Sequence, residues 1–302
     1  MSPRYESGYN STGENAALIA AGTALADPVH IAECAIPFVT VPDGYSIKSL
    51  EHLQEAPARK RGGVSLADAL SFAQYVIEHT SEAHTHLYAD VDYDASKFKV
   101  LAVLDDHATN APAWQEHKAY FTPVKAKEWQ DWTTRDGTAM SQSDFAQFIE
   151  DHLTDIVTTD AKPAPSAAEM LAMALNFQHN ATRTFKKQID LNNGGVTLEF
   201  QDKGDDATTQ KMTVFSRFTI GIPVFDLACV GTTAEGDKPA ESIYPIEARL
   251  KYRQKDTGLV FWFELIRPDR VFKVAVDDQI KAIQQSTGLN LLRGWPTGAR
   301  GE

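Results

Sequence analysis

Tyr244-Pro-Ile-Glu-Ala-Arg-Leu-Lys-Tyr-Arg253, followed by Lys255-Asp-Thr-Gly258 and Leu259-Val-Phe-Trp-Phe-Glu-Leu-Ile266, decides the fold class of this chain. In the first run Ile246, Ala248, Leu250 and Tyr252 alternate with Glu247, Arg249, Lys251 and Arg253. A period of two puts one set on a buried face and the other in water, the signature of a strand. Gly258 closes a tight turn, where a positive φ is accessible to glycine. The return run is apolar at nearly every position, so it is expected inside a sheet with both faces covered. Pro268 then opens a helix to about Gln284, with Val271, Val274, Ala275, Asp278 and Ile283 as the stripe facing the sheet. A β-hairpin running into an amphipathic helix specifies architecture and names no chemistry.

Working backwards, Thr182–Leu191, Val196–Phe200 and Gln210–Ile220 read as strands, with Asn192-Asn-Gly-Gly195 as a turn, a meander that the hairpin completes. Ser166-Ala-Ala-Glu169 is a capping box opening an Ala/Met-rich helix, and the preceding 158–165, rich in Pro and Ala, is the best linker. Ser141-Gln-Ser-Asp144 caps a helix through Ile156. Trp129 and Trp132 share a short helix from Lys125, and Trp114–Pro123 is a strand. His84–Tyr93 and Lys97–Leu104 form a hairpin around Asp94-Ala-Ser96. Ser65-Leu-Ala-Asp68 caps a helix to His79 that buries Leu66, Leu70, Phe72, Ala73, Val76 and Ile77. Ala35–Val41 is a short strand ending in the turn Pro42-Asp43-Gly44, and Ser46–Gln54 is a short helix.

The expected class is α+β: a mixed N-terminal region with short helices and a β-hairpin, then a mainly antiparallel sheet packed by a C-terminal helix. The expected divisions are an N-terminal arm and helix (1–30), a mixed α/β region (31–160), the sheet with its helices (161–287) and a C-terminal tail (288–302). Residues 1–12 are polar, and the Ala-rich helix after them has only a narrow Leu18, Ile19 and Leu25 face. The tail holds Leu289, Leu291, Leu292 and Trp295 among Gly and Pro, too many apolar groups for a free end. Both ends are therefore expected to dock on other copies of the same chain.

Composition bounds the function classes. With 43% apolar and 10% aromatic residues in 302, the chain supports a substantial core. Cys34 and Cys229 stand far apart, so a disulfide framework or cysteine-rich zinc site is unsupported and a reducing cytosol fits. No run approaches the roughly 20 apolar residues of a membrane span, and no secretion signal is expected. Net charge is −12, yet residues 240–302 hold ten Lys/Arg against eight Asp/Glu, leaving nineteen against thirty-three in residues 1–239. The acidic body disfavours non-specific duplex binding and permits an acidic decoy of host defence proteins.

Three constellations carry candidate chemistry. In His84-Thr-His86-Leu-Tyr88-Ala-Asp90-Val-Asp92 the odd-spaced polar residues share one strand face, so His84, His86 and Asp90 could hold a divalent metal for a hydrolase, with Asp105-Asp106-His107 at the end of the partner strand. The plainer alternative is the wet face of an edge hairpin. Arg59-Lys60-Arg61-Gly62-Gly63 is a basic, flexible loop, and Arg249, Lys251 and Arg253 form a cationic stripe; either could meet single-stranded nucleic acid, with Trp262 or Tyr252 as a stacking platform, or an acidic subunit surface. Gly231–Lys238 fails as a phosphate loop, because Asp237 precedes Lys238 and Pro239 stands where Ser/Thr would bind magnesium. No catalytic set and no cofactor are expected.

Several stretches, taken in order, resemble the YfdQ-like family of phage and prophage proteins: Val41-Pro-Asp-Gly-Tyr45, Arg61-Gly-Gly-Val-Ser-Leu66, Ala102-Val-Leu-Asp-Asp-His107, Trp114-Gln-Glu-His117, Trp129-Gln-Asp-Trp132, Phe145–Leu153, Ile246–Arg253 and Phe261-Trp-Phe-Glu-Leu265. The resemblance implies a phage or prophage origin and the cytoplasm of a bacterial host, and carries no catalytic residue with it. The favoured expectation is a non-enzymatic homo-oligomer, a ring or closed shell.

Overall fold

The computed structural model describes residues 11–26, 51–80, 84–158, 164–179, 184–189, 195–201, 210–226, 242–255 and 258–296. It divides into two units, residues 1–60 and 61–302. The described residues of the first include α1 (Ser11–Ala26) and a 3-10 turn, Glu51–Leu53, whose Glu51 side chain accepts from Ala58 N at 3.0 Å. Leu18 and Ile19 on α1 are 71% and 69% exposed. The expected strand at Ala35–Val41 and its turn lie outside the described residues.

The second unit runs β1 (Gly62–Leu66), α2 (Ala69–His79), β2 (His86–Asp92), β3 (Lys97–Val103), β4 (His117–Phe121), α3 (Lys127–Arg135), β5 (Met140–Ser141), α4 (Gln142–Asp151), α5 (Ala167–His179), β6 (Thr184–Ile189), β7 (Gly195–Gln201), β8 (Gln210–Phe215), β9 (Arg217–Pro223), β10 (Ile243–Lys255), β11 (Gly258–Leu265), α6 (Pro268–Thr287) and β12 (Leu291–Arg293). This is an α+β fold, and among the described residues the strands form three sheets, ordered β1-β4-β3-β2-β12, β5-β11-β10-β9 and β6-β7-β8. β10 and β11 pair antiparallel from Ala248↔Leu265 to Lys255↔Gly258, the hairpin that the alternation demands.

One continuous core, from Ala69 to Leu291, joins the first two sheets and their helices. Trp132 sits inside it with no exposed surface, its ring 4.9 Å from Phe148, 5.0 Å from Phe263 and 5.9 Å from Phe218. Its indole Nε1 donates to Asp155 Oδ2 at 2.8 Å, satisfying a polar edge that burial would otherwise leave unpaired. The Pro-rich segment after Thr158 is flanked on both sides by residues of this one unit. Ser166 and Glu169 form the capping box, Ser166 N donating to Glu169 Oε2 at 2.8 Å.

The structure corrects several local expectations. Gly62 and Gly63 belong to β1, not to a loop, and β1 runs parallel to β4. A Cβ at Gly63 would lie 2.8 Å from Tyr120 Cε2, so the glycine leaves room for the Tyr120 ring of the neighbouring strand. The helix after it is capped by Asp68, which accepts from Ser71 N at 2.7 Å, because Ser65 is already committed to the strand. Its buried face is Ala69, Phe72, Ala73 and Val76, leaving Leu70 and Ile77 exposed. The helix from Ser141 ends at Asp151 and is followed by a 3-10 turn, Leu153–Asp155. The meander stops at Phe215, and the β10–β11 hairpin pairs with β9 in another sheet. On α6 the buried face is Phe272, Ala275, Val276, Gln279 and Ile283, while Val274 is exposed and Asp278 accepts from Tyr244 Oη at 3.1 Å. Trp262 and Glu264 of β11 are only half-buried, so one face of this strand is open.

The largest correction concerns the tail. β12 pairs parallel with β2 of its own chain, Leu291↔Leu87 through Arg293↔Ala89, and Gly294 N donates to Ala89 O at 2.8 Å. β2 is therefore interior, not an edge, and Leu289, Leu291 and Trp295 pack on their own chain, while Leu292 stays exposed. Trp295 packs over Leu101 and Val103, with Lys99 Nζ 4.2 Å from its ring centroid. Among the described residues no helix is long and apolar enough to cross a membrane.

Candidate functional site

The densest polar constellation forms where β2 begins and β3 ends. β3 runs apolar through Val103 and Leu104, then turns, and this turn carries two successive aspartates with different tasks. Asp105 shapes the entry to β4: its carboxylate accepts from Glu116 N and His117 N, both at 2.9 Å. Asp106, only 3% exposed, faces side chains instead. Its Oδ2 accepts from Tyr88 Oη at 2.6 Å and lies 3.1 Å from His86 Nδ1, while Oδ1 accepts from Gln115 Nε2 at 2.6 Å and His107 N at 2.7 Å. Burial pushes this carboxyl up, but the hydrogen bonds from Tyr88, Gln115 and His107 N, together with His86, outweigh it and hold its pKa below the usual aspartate value. Burial and then the neighbouring Asp106 push the Tyr88 phenol up to about 12.

Asp106 also organises His84. Its backbone N donates to His84 O at 2.6 Å, and its carbonyl oxygen lies 3.1 Å from His84 Nδ1. A carbonyl can only accept, so His84 Nδ1 carries the proton; an ionised carboxylate imposes the same tautomer on His86. The backbone of Gln115 holds φ at 54°, a left-handed conformation that a non-glycine residue adopts at a cost. That conformation belongs to the loop that brings its amide to Asp106.

Of the expected metal set, His84 and His86 converge on Asp106, whereas Asp90 lies further along β2 and pairs with Lys99 Nζ at 3.3 Å. Among the described residues no group of three or more His, Cys, Asp or Glu side chains is arranged to hold a metal ion. Sequence reasoning placed Asp106 near this strand, but Gln115 gave no signal, because nothing at nine residues' separation marks a side chain that reaches back through a loop. A second imidazole pair lies on the other side of the sheet's end, with Tyr75 Oη 2.9 Å from His117 Nε2 and the His79 ring 5.2 Å from that of His117.

The basic residues divide. Arg59 and Lys60 end the first unit, and Arg61 opens the second, pairing with Glu116 at 3.3 Å. Arg249, Lys251 and Arg253 are all exposed on the open face of β10. Lys251 pairs with Glu264 at 3.6 Å, and the Arg253 guanidinium lies 5.8 Å from the Trp262 ring centroid. Arg217 on β9 joins this face, paired with Glu247 at 3.3 Å. Four cations, two carboxylates and one half-buried indole thus share one sheet surface. Gly231–Lys238 lies outside the described residues.

Fold and site together define an α+β protein with a buried carboxylate hub and an open, cation-bearing sheet face. The chain belongs to the DUF2303 family, described as an uncharacterised conserved protein family, whose model matches residues 12–296. No curated protein and no solved structure matches it.

Proposed function

We propose that this chain is a non-enzymatic phage or prophage protein that works as a homo-oligomeric assembly in the cytoplasm of its bacterial host, with α1 as the element through which copies meet. The supporting observation is that every α1 side chain described, Gly13 and Asn15–Gly22, is exposed. A helix of 16 residues is marginal in water when propensity alone sustains it, so its order calls for a covering surface. A second α1 suits that need. Glu14 is its single charged residue, so copies of an otherwise acidic chain meet there without mutual repulsion, and its alanines permit close helix approach. The tail does not contribute to this reading, since β12 is occupied on its own chain.

Size-exclusion chromatography with light scattering on the full chain at micromolar concentration tests it. The expected result is a defined oligomer that Leu18→Glu dissociates while far-UV circular dichroism of the body persists. A monomeric wild type refutes the proposal.

A second reading, binding of single-stranded nucleic acid, is favoured by the Arg217, Arg249, Lys251, Arg253 and Trp262 face. Cations beside an indole suit a phosphate backbone and a stacked base. Fluorescence anisotropy with a labelled oligonucleotide tests it: Arg249→Ala with Lys251→Ala should weaken binding and flatten its salt dependence. Unchanged binding removes this face from consideration.

A further inference from the structure

We propose that His84 and His86 form a two-imidazole site for a divalent transition cation, with Asp106 as the residue that positions both rings. This does not depend on the oligomer reading. Both Nδ1 atoms face acceptors on one residue, the Asp106 carbonyl at 3.1 Å and its carboxylate Oδ2 at 3.1 Å. Both imidazoles are thereby held as Nδ1–H tautomers, and each keeps its lone pair on Nε2. This is the outer-shell arrangement that orients histidine ligands in metal sites, where a carboxylate or carbonyl takes one ring proton and raises the basicity of the other nitrogen.

Three further observations fit a ligand site better than a packing contact. The His86 side chain is 39% exposed, so an ion can reach it, while Asp106 behind it is 4% exposed. The carboxylate is saturated by Tyr88, Gln115, His107 N and His86 itself, so it serves as an orienter and leaves no free lone pair as a first ligand. The left-handed Gln115 backbone stores strain at this one place among few in the described chain.

Imidazole selects copper, zinc or nickel over magnesium or calcium, and copper(II) binds most tightly of these. With two protein ligands the remaining coordination positions fall to water or to an external donor. Asp90 is not the third ligand, since Lys99 holds it.

The experiment is isothermal titration of copper(II) and zinc(II) chloride into the tag-free full chain, with copper electron paramagnetic resonance to count bound nitrogens. The expected result is one copper per chain with a two-nitrogen signature. His84→Gln and His86→Gln should each remove one nitrogen and weaken binding. Asp106→Asn should keep both nitrogens yet weaken binding by about 10-fold or more, the usual effect of losing an outer-shell partner. His52→Gln serves as a control that leaves binding unchanged, because His52 is an exposed residue of the first unit with no part in the Asp106 cluster. If Asp106→Asn fails to fold, the variants of the two half-buried histidines still decide the matter. Absence of stoichiometric copper, or copper retained equally by the double His84→Gln, His86→Gln variant, identifies an adventitious ion only and overturns the proposal.

Discussion

Substituting Trp295 tests the intramolecular docking of the tail. Its ring covers Leu101 and Val103, both without exposed surface, and Lys99 lies over it. The indole N–H is buried and has no acceptor among the described residues. A fully buried tryptophan removes about 150–250 Å² from water, worth about 4–6 kcal/mol at roughly 25 cal/mol per Å². Trp295 remains partly exposed, so about 3 kcal/mol is the better figure for Trp295→Ala, with about 0.5 kcal/mol more for the lost lysine contact. Against that, deleting an unpaired buried donor recovers about 1–3 kcal/mol. The net expectation is a loss of about 1.5 kcal/mol, or about 3–6 °C in Tm for a unit of this size. Trp295→Phe keeps most of the ring contact and also discards the donor, so it should be within about 0.5 kcal/mol of wild type. Thermal and urea unfolding of both variants at two protein concentrations is the assay. Equal losses in the two variants would mean that the N–H is paired in solution. A concentration-dependent effect, or none for Trp295→Ala, would mean that the tail does not dock on its own chain.

Further predictions concern the core and its charges. Trp132→Phe leaves Asp155 Oδ2 without its indole donor in a buried site, and should cost about 2–4 kcal/mol by denaturant titration. Burial raises the Asp155 pKa despite its bonds to Trp132 and Thr154, so its contribution is present below the ordinary value of 3.8 and is lost as pH rises through the folded value. Asp155→Asn keeps an acceptor for the indole and removes the charge; it should match or exceed wild-type stability at pH 7, with the advantage gone near pH 3. Asp106 has the opposite sign. Its lowered pKa adds stability above the ordinary 3.8 that disappears as pH falls through the folded value, so Asp106→Asn should narrow the gap to wild type in strong acid. Gly288 caps α6 at φ 71° with open space around it, so Gly288→Ala should cost about 1 kcal/mol through backbone strain alone.

The β10–β11 hairpin, the Ser166 capping box and the helix from Pro268 were legible because each rests on residues within a few positions of one another, where periodicity and hydrogen-bond reach are local. On α6 the expected stripe holds at Val271, Ala275 and Ile283 and fails at Val274, whose place Phe272 takes because Trp129 and Phe225 surround it, their rings 6.2 and 5.8 Å from Phe272. Likewise Leu70 and Ile77 looked equivalent to Phe72 and Val76 until the sheet chose one face.

By itself the sequence determined the α+β class and the elements that carry the core, and it marked the two histidines, although only His86 lies on β2 and His84 sits in the turn before it. Only the tertiary structure decided that Asp106 and Gln115, rather than Asp90, complete the histidine cluster, that β9 rather than β8 pairs with the hairpin, and that the tail closes on β2. The reason is that alternation and capping are properties of neighbouring residues, whereas sheet order and side-chain convergence depend on which distant surfaces bury each other best.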